Sequence, residues 1–141
     1  VTIIDQLKRD EGLRLNPYQD TLGFWTVGYG HKMGPQEHYP AGISQDEAEL
    51  LLQTDLQRCT LALNAALPWV AGLDDPRQGA LQNMAYNIGV HGLLGFKQTL
   101  AAVESGEYAV AAEKMLESRW ASQVGPRALR LAAQMRDGEW T

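Results

Sequence analysis

Residues 10–31, DEGLRLNPYQDTLGFWTVGYGH, carry glycine at positions 12, 23, 28 and 30. Glycines at that density cut the backbone into short turns, so no long helix fits here. Phe24-Trp25-Thr26-Val27 is β-prone and Thr21-Leu22-Gly23 reads as a turn. Gly28 and Gly30, on either side of Tyr29, point to close backbone approach or a bulge. The stretch from Tyr18 to Tyr29 is therefore predicted as a small twisted hairpin or three-stranded sheet. It also holds Glu11, then Asp20 nine residues on and Thr26 six beyond that, residue types that make a poor core.

The flanks read as helix. Thr2 to Asp10 is predicted helical, with Ile4, Leu7 and Glu11 at i, i+3, i+7 on one face and Gly12 as the stop. Glu11 thus falls where the apolar stripe would continue inward. Such a position is expected to be partly desolvated, which favours the proton-donating form of a carboxyl. Residues 32–42, with Gly34-Pro35, Pro40 and Gly42, read as an irregular loop. Ser44-Gln45-Asp46-Glu47 is a capping box opening a long helix to about Leu67. Beyond it, Asp75 is read as an N-cap before Pro76, opening a helix that stops near Gly89. Further helices are expected over 97–104, 107–116, 118–123 and 126–136.

This pattern predicts an α+β fold, mostly helical. A small β lobe (about 12–43) and a larger helical lobe (about 68–141, grouped with the N-terminal helix) are joined by the long helix (about 44–67), with a cleft between. The chain reads as one domain, long enough to bury a core.

Charge and composition remove several function classes. A net charge of −5 argues against general nucleic-acid binding, although Arg119, Arg127, Arg130 and Arg136 crowd the last quarter as a local basic patch. No run of eighteen apolar residues exists, so no membrane insertion is expected. Cys59, the single cysteine, cannot form an internal disulfide, and three scattered histidines argue against a structural zinc site. The chain starts without a signal-peptide pattern and without an initiator Met, which fits a processed or excised piece of something longer.

The chemistry of the opening stretch then narrows. The two acids lack the alternating oxygen ligands of a calcium loop, and no metal is expected. Glycoside hydrolysis needs one carboxyl to protonate the leaving oxygen and a second, ionised one to act on the opposite face. Burial assigns the donor role to Glu11, leaves Asp20 as the carboxylate in a polar turn, and lets Thr26 hold a water between them. On spacing alone, helix-end and turn acids with no catalytic duty are the competing reading.

The pattern E-x(8)-D-x(5)-T, set in DEGLRL and Y-x-D-T-x-G-x-x-T-x-G-x-G-H, resembles the catalytic signature of the phage-type lysozymes, glycoside hydrolase family 24. Ser44 to Glu49, Arg77 to Gly89 (RQGALQNMAYNIG), Gly95-Phe96, Ser118-Arg119-Trp120 and Pro126-Arg127-Ala128 resemble later parts of the same family in the same order. The resemblance implies cleavage of the β-1,4 bond between N-acetylmuramic acid and N-acetylglucosamine in bacterial peptidoglycan. Carried over, Glu11 is the proton donor, Asp20 the second carboxylate, as base or as stabiliser, and Thr26 the holder of the attacking water. Arg127 would pair with the catalytic glutamate. His31 and Asp55 would form an ion pair with the His31 pKa raised. Tyr86, Asn87, Thr99 and Lys114 fall at substrate-binding positions, Lys114 replacing a neutral side chain; Tyr86 is read alternatively as core. Trp120 and Phe96 are read as core.

The short region between His31 and Ser44 is a departure from the longest family members, and so is the acidic net charge. No cofactor is implied. The expected partner of a monomeric enzyme is peptidoglycan, reached from the host bacterial cytoplasm with the help of a holin to act on the wall in the periplasm. A peptidoglycan-binding module without catalysis, and an effector or structural protein reusing the fold, are the other classes in play.

Overall fold

The computed structural model describes residues 2–141. Among them the chain forms seven α-helices and one three-stranded sheet, a mostly helical α+β fold of lysozyme type. Backbone contacts divide it into two compact units, one over Ile4–Arg58 and one built mainly from Cys59–Thr141.

In the first unit, α1 (Ile3–Glu11) carries the predicted stripe: Leu7 is fully buried, and Gly12, with φ of +71°, ends the helix at Glu11 by donating its N–H to the Lys8 carbonyl at 3.1 Å. From Ile4 onward this helix clusters with the sheet, whereas the sequence reading groups it with the later helices. Lys8 Nζ reaches Glu49 Oε1 at 2.8 Å and ties α1 to α2 (Gln45–Ala66). The capping box forms as read: the Ser44 hydroxyl accepts from Glu47 N–H at 3.1 Å, and the Glu47 carboxylate accepts from Ser44 N–H at 3.2 Å.

The sheet is antiparallel, in order β1 (Arg14–Gln19), β2 (Trp25–Gly28), β3 (His31–Lys32). It starts earlier than the predicted Tyr18. Arg14-Leu15-Asn16-Pro17 has no alternating pattern to betray a strand, and Pro17 cannot donate to a ladder. The structure admits it because β1 is an edge strand whose register shifts between Arg14 and Tyr18. Val27, Tyr29, Ile43, Ala48 and Leu52 are buried in this unit.

The second unit holds the main apolar cluster, including Leu63, Leu81, Met84, Leu93, Met115, Trp120, Leu131 and Met135. A 3₁₀ turn over Pro68–Gly72 follows α2. Then α3 (Asp75–Leu94) begins one residue before the predicted start: the cap is Asp74, whose carboxylate accepts from Arg77 N–H at 3.3 Å. The helical conformation breaks at Gly89, as predicted: Gly89 adopts φ of +83° and ψ of 156°, and a further helical stretch beyond this kink runs on to Leu94. The remaining helices are α4 (Lys97–Glu104), α5 (Tyr108–Glu117), α6 (Arg119–Val124) and α7 (Pro126–Asp137), within two residues of the expected bounds. Among the described residues, no helix is long and apolar enough to cross a membrane.

Candidate active site

Glu11 is the last residue of α1, and its carboxyl lies over the turn between β2 and β3. A β-carbon built on Gly30 would meet Glu11 Oε1 at 2.6 Å and Cδ at 3.0 Å. Gly30 also has φ of +71°, a conformation that side-chain-bearing residues rarely adopt. Glycine is needed there twice over, for the backbone and for the space the carboxyl fills.

Asp20 is fixed by a tight turn. Its Oδ1 accepts the N–H groups of Leu22 and Phe24, both at 2.9 Å, while its own N–H donates to the Phe24 carbonyl at 2.9 Å. Both side-chain bonds go to Oδ1, so they orient the carboxylate through one oxygen. Thr26, on β2 and 3% exposed, donates its hydroxyl to the same Phe24 carbonyl at 3.1 Å. The Phe24 peptide therefore orients both Asp20 and Thr26. With its proton directed at that carbonyl, the Thr26 oxygen keeps lone pairs to accept a hydrogen bond from water. Sequence reasoning did not find this role of Phe24, because a backbone group leaves no trace in residue identity.

The expected His31–Asp55 pair is present, at 2.7 Å between Nδ1 and Oδ2. A second carboxylate, missed in the sequence, completes it: Glu37 Oε2 lies 2.8 Å from His31 Nε2. Only the imidazolium donates from both ring nitrogens. The hydrogen bond to Asp55 raises the His31 pKa above its usual 6.5, burial opposes it, and the bond to Glu37 adds to it. For Glu37, burial acts upward but is outweighed. The Gly34 N–H, the Tyr39 hydroxyl at 2.7 Å and His31 together hold its pKa below the usual 4.5. Tyr39 in turn is pushed up to about 12 by its bond to that carboxylate.

The second unit carries the other candidate residues. Thr99, buried, and Lys114, half-buried, line one groove of about 640 Å³ together with Phe96, Ser118 and Trp120. Trp120 is core, as read, but its indole N–H donates to Asn87 Oδ1 at 2.8 Å, so Asn87 is held against the groove wall. Phe96 meets Trp120 edge-on, with ring centroids 6.1 Å apart. Tyr86 is half-buried, one residue earlier on α3. Lys114 Nζ lies 3.3 Å from Glu117. Arg127, in the first turn of α7, is buried and donates from Nε to Asn83 Oδ1 at 2.9 Å. Asn83 is wholly buried, and its one trace in the chain is an amide set among the apolar positions of α3. Among the described residues, no group of three or more His, Cys, Asp or Glu side chains is arranged to hold a metal ion.

The first unit thus holds a helix-end glutamate beside a glycine turn, an aspartate oriented in the turn after β1 and a threonine on β2. Comparison with known proteins identifies the family. The phage lysozyme profile matches residues 8–136, and the chain belongs to that family. It is 31% identical over 161 aligned positions to the probable T4-type lysozyme 1 of Dictyostelium discoideum, covering 97% of this chain and 95% of that protein. It is 31% identical over 123 positions to the endolysin of Acyrthosiphon pisum secondary endosymbiont phage 1, covering 86% of this chain and 80% of that one. A further match, 31% identical over 154 positions, is to the pre-baseplate central spike protein Gp5 of Enterobacteria phage T4. It covers 93% of this chain but only 27% of Gp5.

Proposed function

We propose that the protein is a muramidase that hydrolyses the β-1,4 bond between N-acetylmuramic acid and N-acetylglucosamine in bacterial peptidoglycan. The observation that carries this reading is the Glu11, Asp20 and Thr26 set: Glu11 lies at the helix end in the space that Gly30 leaves open, and Asp20 and Thr26 are both oriented by the Phe24 backbone. Glu11 protonates the glycosidic oxygen as the bond breaks. Thr26 accepts a hydrogen bond from a water, and Asp20 draws the proton from that water or stabilises the positive charge of the oxocarbenium-like transition state. Attack by a held water gives a product of inverted anomeric configuration.

Tyr86, Asn87, Thr99 and Lys114 supply substrate contacts: an aromatic face for a sugar ring, an amide and a hydroxyl for N-acetyl and hydroxyl groups. Arg127 has a supporting role in the reaction. The protein acts as a monomer on the wall and needs no cofactor. As a phage endolysin it would depend on a holin for access to the periplasm. The wall-binding alternative gives no reason to keep a donor, a second carboxylate and a water-holding hydroxyl together.

Digestion of purified peptidoglycan, followed by borohydride reduction and mass spectrometry of the fragments, tests the bond. Reduced N-acetylmuramic acid at the new ends is expected. Reduced N-acetylglucosamine would identify a different glycosidase, and no new reducing ends would favour the binding module.

A further inference from the structure

We propose that the face of β2 opposite Thr26 is a second binding site for an uncharged N-acetylhexosamine glycan. Consecutive strand residues point to opposite faces, so Trp25 is turned away from the side where Thr26 is buried. Trp25 is 53% exposed and Phe24 54%, unusual for large aromatics that a core would otherwise take. They do not stand alone. With Pro17, Met33, Tyr39 and Pro40 they line a groove of about 700 Å³ within the first unit, a size suited to a small ligand. The groove has its own anchor, since Tyr39 is fixed by its hydroxyl bond to Glu37, and Glu37 by His31 and the Gly34 N–H.

The character of the lining selects the ligand. Aromatic faces suit the C–H faces of pyranose rings, and a polar end suits their hydroxyl and N-acetyl groups. The ionisable side chains of the lining, besides the Tyr39 phenol, are Glu37 and His38. The Glu37 carboxylate shares the His31 imidazolium, at 2.8 Å, with Asp55. The negative charge left over in that cluster is set against the Lys32 ammonium, 5.1 Å from the Phe24 ring centroid, so neither sign dominates to attract a phosphate or an acidic or basic peptide, and a neutral, amphipathic sugar chain fits best. This inference rests on the muramidase reading for its choice of sugar. It adds a contact with the same polymer on the side of the sheet away from Thr26, where it would hold the enzyme to an insoluble wall.

The test uses ¹⁵N-labelled Glu11→Gln protein, which binds without cutting, titrated with the β-1,4-linked tetramer of N-acetylglucosamine. The indole N–H of Trp25 and the amide of Tyr39 should shift saturably. Retention of the same protein on insoluble peptidoglycan should weaken about tenfold in a Trp25→Ala background and largely recover in Trp25→Phe, as loss and return of one aromatic partner require. An unmoved Trp25 indole at sugar concentrations that shift Thr99 and Lys114 would overturn the proposal. So would a proline-rich peptide that moves it where the sugar does not. The titration needs no change in the groove, so it holds even where Trp25→Ala folds poorly. The two readings fail separately: wild-type protein that cuts the wall while Trp25 stays silent removes the groove alone, and a shifting Trp25 in a wild-type protein that cannot cut removes the muramidase alone.

Discussion

The Glu11 carboxyl occupies the space that a side chain at Gly30 would need: a β-carbon there would lie 2.6 Å from Oε1. Two segments nineteen residues apart in sequence, a helix end and a strand turn, thus fix one oxygen. Gly30→Ala should strain the backbone by about 1–2 kcal/mol, because φ is positive there, and should push the carboxyl off its position. Both the melting temperature and the wall-lysis rate are expected to fall. In a Glu11→Ala background the same substitution should cost less stability, since only the backbone strain remains. Equal thermal losses in the two backgrounds would show that the carboxyl is not held there.

The His31 cluster makes stability depend on pH in a defined direction. A histidine whose folded pKa is raised contributes fully below its unfolded value near 6.5, and the contribution is lost as pH rises through the folded value. Glu37 has the opposite sign. Its pKa is lowered, so its contribution is present above about 4.5 and lost as pH falls through the folded value. Stability should therefore decline on the alkaline side above 6.5, and Asp55→Asn should flatten that decline. NMR titration of the His31 ring should give a pKa above 6.5 in the wild type, lower in Asp55→Asn and in Glu37→Gln. A ring titrating at or below 6.5 in the wild type would remove the cluster from the account.

Thr26 and Asp20 share the Phe24 peptide, so their effects should separate by chemistry and not by folding. Thr26→Ser keeps the oxygen and should retain most activity. Thr26→Val keeps the shape but cannot hold water, and should lose about 100-fold in rate, the scale of a misplaced reactant, with a small change in melting temperature. Steady-state hydrolysis and calorimetry on the two variants check this.

Asn83 is the buried acceptor for Arg127 Nε at 2.9 Å. Asn83→Ala removes that acceptor from a buried guanidinium and should destabilise by about 1–3 kcal/mol, read by urea unfolding. Activity should fall along with stability, because Arg127 loses a buried contact that helps to orient it.

Much of this was legible in the chain, and the gaps have physical causes. The α1 stripe, the capping box at Ser44 and the helices after Gly95 follow from local periodicity and cap chemistry, which act within a turn or two. The His31–Asp55 pair came through the family pattern. Glu37 did not, because its partnership depends on how an irregular loop folds back, and no local rule fixes that. The strand over Arg14–Pro17 was invisible because a register shift, not alternation, makes room for it. Asp74 displaced Asp75 as the α3 cap because two adjacent aspartates are equivalent in sequence and only backbone geometry separates them. The break at Gly89 follows from glycine's access to positive φ; the further helical stretch to Leu94 does not, since it depends on the burial of Leu93 in the core.

Glu11 is the proton donor of the proposed mechanism, and wall clearing by the Glu11→Gln variant tests that role most directly. The amide has nearly the same size but no proton to give. The variant should melt within a few degrees of the wild type, while clearing of a bacterial wall suspension falls by about 100-fold or more, the range of general acid catalysis. A folded Glu11→Gln protein that clears walls at the wild-type rate would contradict the mechanism.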